Sequence, residues 1–331
     1  MPMRKDQWPF SSLHAKSGPR GSGGWRLLLL MLFCGVVLPA SAADAEPERV
    51  MPVPVKFLSR DGRTELTGYL FRPPPPGRVR GFFEPFMANQ QAGKSEPGKW
   101  PGVVMLHGRG GPYSSAAKGR YDETTLSQRH LMWGRFWAER GYIALLVDSF
   151  GPRGYPQGFP IHSYRDRPQE VDEQTVRPLD AYGAYDYLRN RPDIVVKRIG
   201  VQGWSNGGMT VLAALDLERN ADIFSSQSGG FHAAIAMYPG CAAQAKSYYR
   251  PYAPLLLMIA GADEEVSPAV CERFGNEVSD RTRNMTFVKF DGAAHAFDDP
   301  GDARQTVPAN KTATDAAKER AEAYFKNWLQ R

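Results

Sequence analysis

Cysteine, histidine and long apolar runs are all scarce in this chain of 331 residues. Three cysteines, Cys34, Cys241 and Cys271, are too few for a disulfide-built miniprotein or a cysteine-rich metal centre. The six histidines are scattered with no H-x-x-x-H pair, and no cysteine has a close second ligand, so the sequence implies neither a metal nor a cofactor. No apolar run reaches the roughly 20 residues of a membrane-spanning helix. Basic clusters with interleaved aromatics are absent, and so are internal repeats and low-complexity tracts, which argues against a nucleic-acid binder or a solenoid.

What is present begins with a leader. Arg20 and Arg26 precede the apolar run Leu27 to Leu38, and Pro39-Ala40-Ser41-Ala42 follows. That is a basic segment, a short apolar segment and an A-x-A cleavage site, so residues 1–42 read as a signal peptide and 43–331 as the working domain. An uncleaved anchor is the alternative. Cys34 lacks the small residues a lipoprotein signal places before its cysteine, which argues against lipid attachment. Removing the leader takes away five of the 41 basic residues and one of the 35 acidic ones, leaving a balance of +2 in place of +6. The expectation is therefore an exported protein, periplasmic or secreted, with no nucleic-acid partner and no stable membrane association once cleaved. Its two remaining cysteines, Cys241 and Cys271, are expected to pair.

Residues 53–58 and 64–71 alternate around the turn Arg60-Asp61-Gly62 and read as an antiparallel pair. Pro73 to Pro101 reads as a loop whose Phe82, Phe83 and Phe86 pack on the surface or near a site. Apolar strands then alternate with helices: strand 103–106, helix 124–140, strand 143–147, helix 171–190, strand 198–202, helix 206–218, strands 233–237 and 255–259, helix 268–279, strand 286–290 and helix 312–329. Short apolar strands separated by helices predict an α/β fold with a doubly wound, mostly parallel sheet in a single domain.

The run Gly203-Trp204-Ser205-Asn206-Gly207-Gly208 carries the chemistry. A strand ends at Gly203, a helix follows, and Ser205 stands at the bend with small residues on both sides. A turn that sharp strains its central residue and lifts the side chain out of the sheet, which is how a serine is presented as a nucleophile. The hydroxyl needs a base, and the base needs a carboxylate to orient it. Strand 255–259 runs into Asp263, and strand 286–290 runs into His295, in the order serine, acid, histidine. Asp263 also reads as a helix cap, and Glu264 and Glu265 are substitutes for it as the acid. The oxyanion donors are expected from the backbone of Asn206 and from the turn His107-Gly108-Arg109-Gly110-Gly111, at Arg109 or Gly110. His107 reads as a brace for that turn. Arg153 either meets a substrate carboxylate or fixes its loop by an ion pair with Asp148 or Asp180. Trp204 either lines an acyl pocket or packs on the sheet.

Five segments in order, Leu106-His107-Gly108 with Gly110-Gly111, Val147 to Gly154, Gly203 to Gly208, Tyr238-Pro239-Gly240-Cys241 and Gly292 to Phe297, resemble the dienelactone hydrolase family of α/β-hydrolases. The resemblance runs from about residue 53 to the end and implies that family's fold and a triad at Ser205, Asp263 and His295. Dienelactone hydrolase proper has a cysteine nucleophile where this chain has Ser205, which suits ordinary esters. The reading is a cofactor-free serine hydrolase that cleaves a carboxylic ester or lactone through an acyl-enzyme. The rivals are a prolyl-oligopeptidase-like peptidase, against which the lack of a long N-terminal propeller counts, and a catalytically silent binding protein on the same scaffold.

Overall fold

The strands of the computed structural model are β1 (Val53–Leu58), β2 (Glu65–Phe71), β3 (Trp100–Leu106), β4 (Ile143–Asp148), β5 (Ile194–Trp204), β6 (Ala233–Met237), β7 (Leu255–Ala260) and β8 (Met285–Phe290). They form one sheet in the order β1-β2-β4-β3-β5-β6-β7-β8. β1 pairs antiparallel with β2, and β2 antiparallel with β4; every other pairing is parallel. The structure describes residues 50–74, 98–220 and 229–331. Residues 1–42, expected as a leader, and the loop aromatics Phe82, Phe83 and Phe86 lie outside the described residues.

Strand composition explains the layering. β4, β6 and β7 are buried at every position, as strands covered on both faces must be. One face carries α1 (Gln128–Glu139), through Trp133 and Trp137, and the C-terminal helix α6 (Pro308–Leu329), through Ala317 and Phe325. The other carries α2 (Arg177–Arg189), α3 (Asn206–Leu215) and α4 (Pro268–Arg281), which bury Leu188, Leu212 and Phe274 among others. A one-turn helix, α5 (Asp302–Gln305), precedes α6.

Helix starts differ from expectation where side chains take up backbone donors. α1 begins at Gln128, not 124, because the Ser127 hydroxyl caps it by accepting the His130 N–H. α2 begins at Arg177, not 171, because the Asp172 carboxylate accepts the N–H groups of Gln174 and Thr175 and holds a turn there. α6 begins four residues early, with Pro308 in its first turn.

The sheet order has a functional consequence. From β3 the chain steps one way to β4 and then crosses back to β5 on the other side of β3. Loops leaving β3 and β5 therefore diverge at their carboxyl ends and leave a crevice, the usual ligand position in an open α/β sheet. The loop after β3 is residues 107–111, and the residue after β5 is Ser205.

Candidate active site

Ser205 links β5 to α3 with φ +52° and ψ −114°, a conformation L-residues seldom adopt. Its own backbone holds it there: its N–H donates to Met237 O at 2.9 Å and its carbonyl accepts the Met209 N–H at 2.9 Å. A β-carbon at Gly203 would overlap the Gly207 carbonyl, and one at Gly207 would overlap the Leu106 carbonyl, so both positions exclude a side chain. The bend thus exists because its flanks are bare.

The Ser205 hydroxyl lies 2.9 Å from His295 Nε2, and His295 Nδ1 lies 2.8 Å from Asp263 Oδ2. Ser205 and His295 are 5% and 3% exposed, so both hydrogen bonds are sheltered from water. Asp263 leaves β7 and fixes its own loop, its Oδ1 accepting the N–H groups of Glu265 and Val266 at 2.9 Å each. Of the two alternative acids, Glu264 accepts the His295 backbone N–H at 2.8 Å and pairs with Arg304. Glu265 lies on the other side of the ring, with Oε2 3.7 Å from Nε2. Only Asp263 meets Nδ1.

The turn after β3 comes against the nucleophile: a β-carbon on Gly108 would be 3.6 Å from that of Ser205. Among the described residues the N–H groups of Arg109 and Gly110 have no protein acceptor. Asn206 is the first residue of α3, where a helix leaves its N–H groups free. The Asn206 side chain is anchored by Arg177 and by Glu173, to which it donates at 2.8 Å. His107 is fully buried: Nε2 accepts the Ser149 N–H at 3.2 Å and Nδ1 donates to Gly108 O at 2.7 Å. Burial, then the nearby Arg177 charge, pushes His107 well below the ordinary histidine range, so it stays neutral and holds the turn.

The profile of the dienelactone hydrolase family matches residues 87–331. The chain belongs to the dienelactone hydrolase family. As such it is a hydrolase acting on ester bonds. Among solved structures, the chain is similar to a dienelactone hydrolase of Klebsiella pneumoniae subsp. pneumoniae MGH 78578 labelled putative, at 17% identity and TM-score 0.56, covering 84% of this chain and 99% of that one. A dienelactone hydrolase-like promiscuous phosphotriesterase from metagenomic libraries gives 18% identity and TM-score 0.57, covering 85% and 99%. A puromycin-hydrolysing peptidase of Mycobacterium tuberculosis gives 19% and 0.54, covering 85% of this chain and 40% of that one. No curated protein matches the chain. At such identities the structural likenesses speak to fold.

Within this dienelactone hydrolase-family fold two expected substrate contacts are corrected. Arg153 donates to both oxygens of Asp180, at 2.9 and 2.8 Å, and to Asp61 at 3.2 Å, with a side chain 6% exposed. Its charge is already answered, so it fixes the loop and does not face a substrate; Asp148 is not its partner. Trp204 is fully buried, packs against Trp133 and His130, and donates its indole N–H to Asp298 at 3.0 Å. The side chain just before the bend, that of Trp204, points into the core, while Ser205 turns its hydroxyl to His295.

Other residues surround the dienelactone hydrolase-family site without having been singled out. Arg167 stacks 4.1 Å over Tyr164 and has a side chain 4% exposed, yet its Nη1 and Nη2 have no hydrogen-bond partner, nor has the Tyr164 hydroxyl. Glu173 stands 3.9 Å from Arg167 and bonds Asn206, which sets Arg167 beside the start of α3. Nothing in the local sequence separates Arg167 from its neighbour Arg165; only the three-dimensional path of residues 155–171 does. The Cys241–Cys271 disulfide joins the loop after β6 to α4, with the two α-carbons 5.1 Å apart.

Proposed function

We propose that the chain is an exported serine hydrolase that cleaves a carboxylic ester or lactone through an acyl-enzyme, with Ser205, His295 and Asp263 as its triad. The unbroken hydrogen-bond chain from Asp263 through His295 to Ser205, ending on a strained bend, carries this reading. In it Ser205 Oγ attacks the carbonyl carbon as Nε2 takes the hydroxyl proton. The oxyanion that forms lies against the N–H of Asn206 and that of Arg109 or Gly110. His295 then gives its proton to the leaving alkoxide, and water, deprotonated by the same nitrogen, releases the acid. Asp263 holds the ring and balances the imidazolium charge.

Residues 1–42 are proposed as the leader and 43–331 as the hydrolase domain. The disulfide favours an oxidising compartment, and among the described residues no helix is long and apolar enough to cross a membrane. Where the substrate carries an acid group, Nη1 and Nη2 of Arg167 are its proposed seat, since Nε already donates to Ser163 Oγ at 3.0 Å and buried donors left without an acceptor are costly.

A fluorophosphonate probe tests the reading directly. Covalent labelling at the Ser205 peptide is expected, with turnover of p-nitrophenyl esters exceeding that of prolyl p-nitroanilides. Labelling elsewhere overturns the site, and no labelling at all leaves the silent binding protein. Preference for the anilides turns the assignment towards a peptidase.

A further inference from the structure

His295 has a carboxylate at each ring nitrogen. Asp263 meets Nδ1, while Glu265 Oε2 stands 3.7 Å from Nε2, the nitrogen that serves Ser205. A free carboxylate there would stabilise the imidazolium and compete with the serine hydroxyl for Nε2. Both effects oppose a base that must begin neutral. Burial pushes Glu265 up, but hydrogen bonds from Arg109 and the charges of His295 and Arg109 outweigh it and keep the group below the ordinary glutamate range. Glu265 is therefore an anion at neutral pH and needs an answer.

Arg109 supplies it. Nε donates to Glu265 Oε2 and Nη2 to Oε1, both at 2.9 Å, a side-on bidentate pair. The two side chains are 21% and 10% exposed, so solvent screens the pair less than a surface one. Arg109 is itself held, its Nη1 donating to Phe159 O at 3.1 Å and its carbonyl accepting the Phe159 N–H at 2.8 Å. The other groups facing His295 are already engaged. Glu264 holds the His295 N–H and Arg304, and Tyr238, its ring centroid 5.0 Å away, gives its hydroxyl to Asp298, beside which Arg129 lies.

We infer that Arg109 is a charge compensator, whose ion pair with Glu265 keeps a second carboxylate from drawing a proton onto the reactive nitrogen of His295 while tying the oxyanion turn to the acid loop. The inference rests on the triad reading. Both side chains are positioning groups that act through His295.

The test compares Arg109→Met, Arg109→Lys, Glu265→Gln and the Arg109→Met/Glu265→Gln double variant in the whole protein, following kcat/KM for p-nitrophenyl acetate between pH 5 and 9. Arg109→Met leaves an unanswered carboxylate, so the acid limb of the profile should move up by on the order of one pH unit, a roughly tenfold loss at any pH below it. Glu265→Gln leaves an unanswered guanidinium and should move the limb down. The double variant should return it to the wild-type position, and Arg109→Lys should leave it there while lowering kcat. A tether without electrostatic function predicts slower variants with an unmoved limb and no recovery in the double, and that result overturns the inference. Should Arg109→Met fail to fold, Glu265→Gln decides by itself, because an unmoved limb there is equally fatal. An active Ser205→Ala would instead remove the triad reading underneath.

Discussion

Asp298 and Trp204 are joined behind the nucleophile, the indole N–H donating to Oδ2 at 3.0 Å. The same buried carboxylate accepts the Trp133 indole N–H at 2.8 Å and the Tyr238 hydroxyl, and Arg129 lies 3.4 Å away. α1, the end of β5 and the exit of β6 thus converge on one anion. Asp298→Ala would strand two indoles and a phenol in the core and leave Arg129 with Asp299 as its remaining carboxylate. The expected loss of stability is about 3–5 kcal/mol, read from the denaturant midpoint.

Ser205→Ala should fold normally and lose ester turnover by on the order of 10⁶, the scale seen when a triad nucleophile is removed. Asp263→Asn should lose roughly 10⁴, since the amide favours the wrong histidine tautomer. Glu264→Gln should do far less damage, because Glu264 meets His295 at its backbone N–H and not at its ring, and otherwise pairs with Arg304. Steady-state kinetics on one p-nitrophenyl ester ranks all three, and a larger effect at Glu264 would displace Asp263 as the acid.

Reduction of Cys241–Cys271 opens a loop of 30 residues. On the chain-entropy account that bridge contributes about 3–4 kcal/mol, so dithiothreitol should lower the melting temperature by several degrees. Activity should fall too, because Asp263 lies between the two cysteines in sequence and shares the tethered segment. Two titratable thiols in the unreduced, unfolded protein would show that no bridge had formed.

Much of this was legible in the sequence, and the limits have physical causes. Strand positions and the Ser205 bend follow from local patterns: apolar runs, bare glycines and a helix start within a few residues; the strand order, with β4 beside β2 and β5 beyond β3, does not. That Ser205, Asp263 and His295 come within hydrogen-bond reach of one another was readable because each follows a strand end, and strand ends are visible. Arg153 was not, since its choice between Asp148 and Asp180 depends on how residues 149–154 fold over α2. For Trp204 the choice between pocket and packing stayed open for a similar reason, its partner Asp298 being 94 residues away. Glu265 was noticed only as a substitute acid; nothing along the chain tells that Arg109 would reach it. The start of α1 was readable after all, in Ser127 as a cap.

Arg153 and Arg167 should respond in opposite ways to substitution. Arg153→Met breaks a buried pair and leaves Asp180 unanswered, so stability should fall by about 3–5 kcal/mol with KM unchanged. Arg167→Met should cost little stability, because Nη1 and Nη2 lack hydrogen-bond acceptors and only Nε is bonded, to Ser163, and should raise KM tenfold or so for a half-ester of a dicarboxylic acid but not for a neutral ester. Thermal melts and a pair of matched substrates separate the two. Equal KM effects on both substrates would discard Arg167 as an acid-group seat.

Acid should destabilise the protein through His130. Burial first, then the Arg129 charge, pushes this group down from 6.5 to about 4. Between those values the unfolded chain binds a proton that the folded one refuses, so stability is complete above about pH 6.5 and drops as pH falls, by about 3 kcal/mol once pH reaches 4. His107 acts in the same direction. Calorimetry between pH 4 and 7 should show a falling melting temperature, and His130→Asn should flatten part of the slope.

Among the described residues the sheet ends on β1 and β8, and an open sheet edge is a template on which another chain can add. β1 meets this hazard with Pro54, which has no N–H to offer, and with the charged Lys56 two residues on. β8 carries Lys289, held by Glu272 of α4. Two copies approaching edge to edge would therefore find a missing donor on one side and a charge on the other. Ordered self-association in concentrated solution is disfavoured at both edges, although the strands between them are almost entirely apolar.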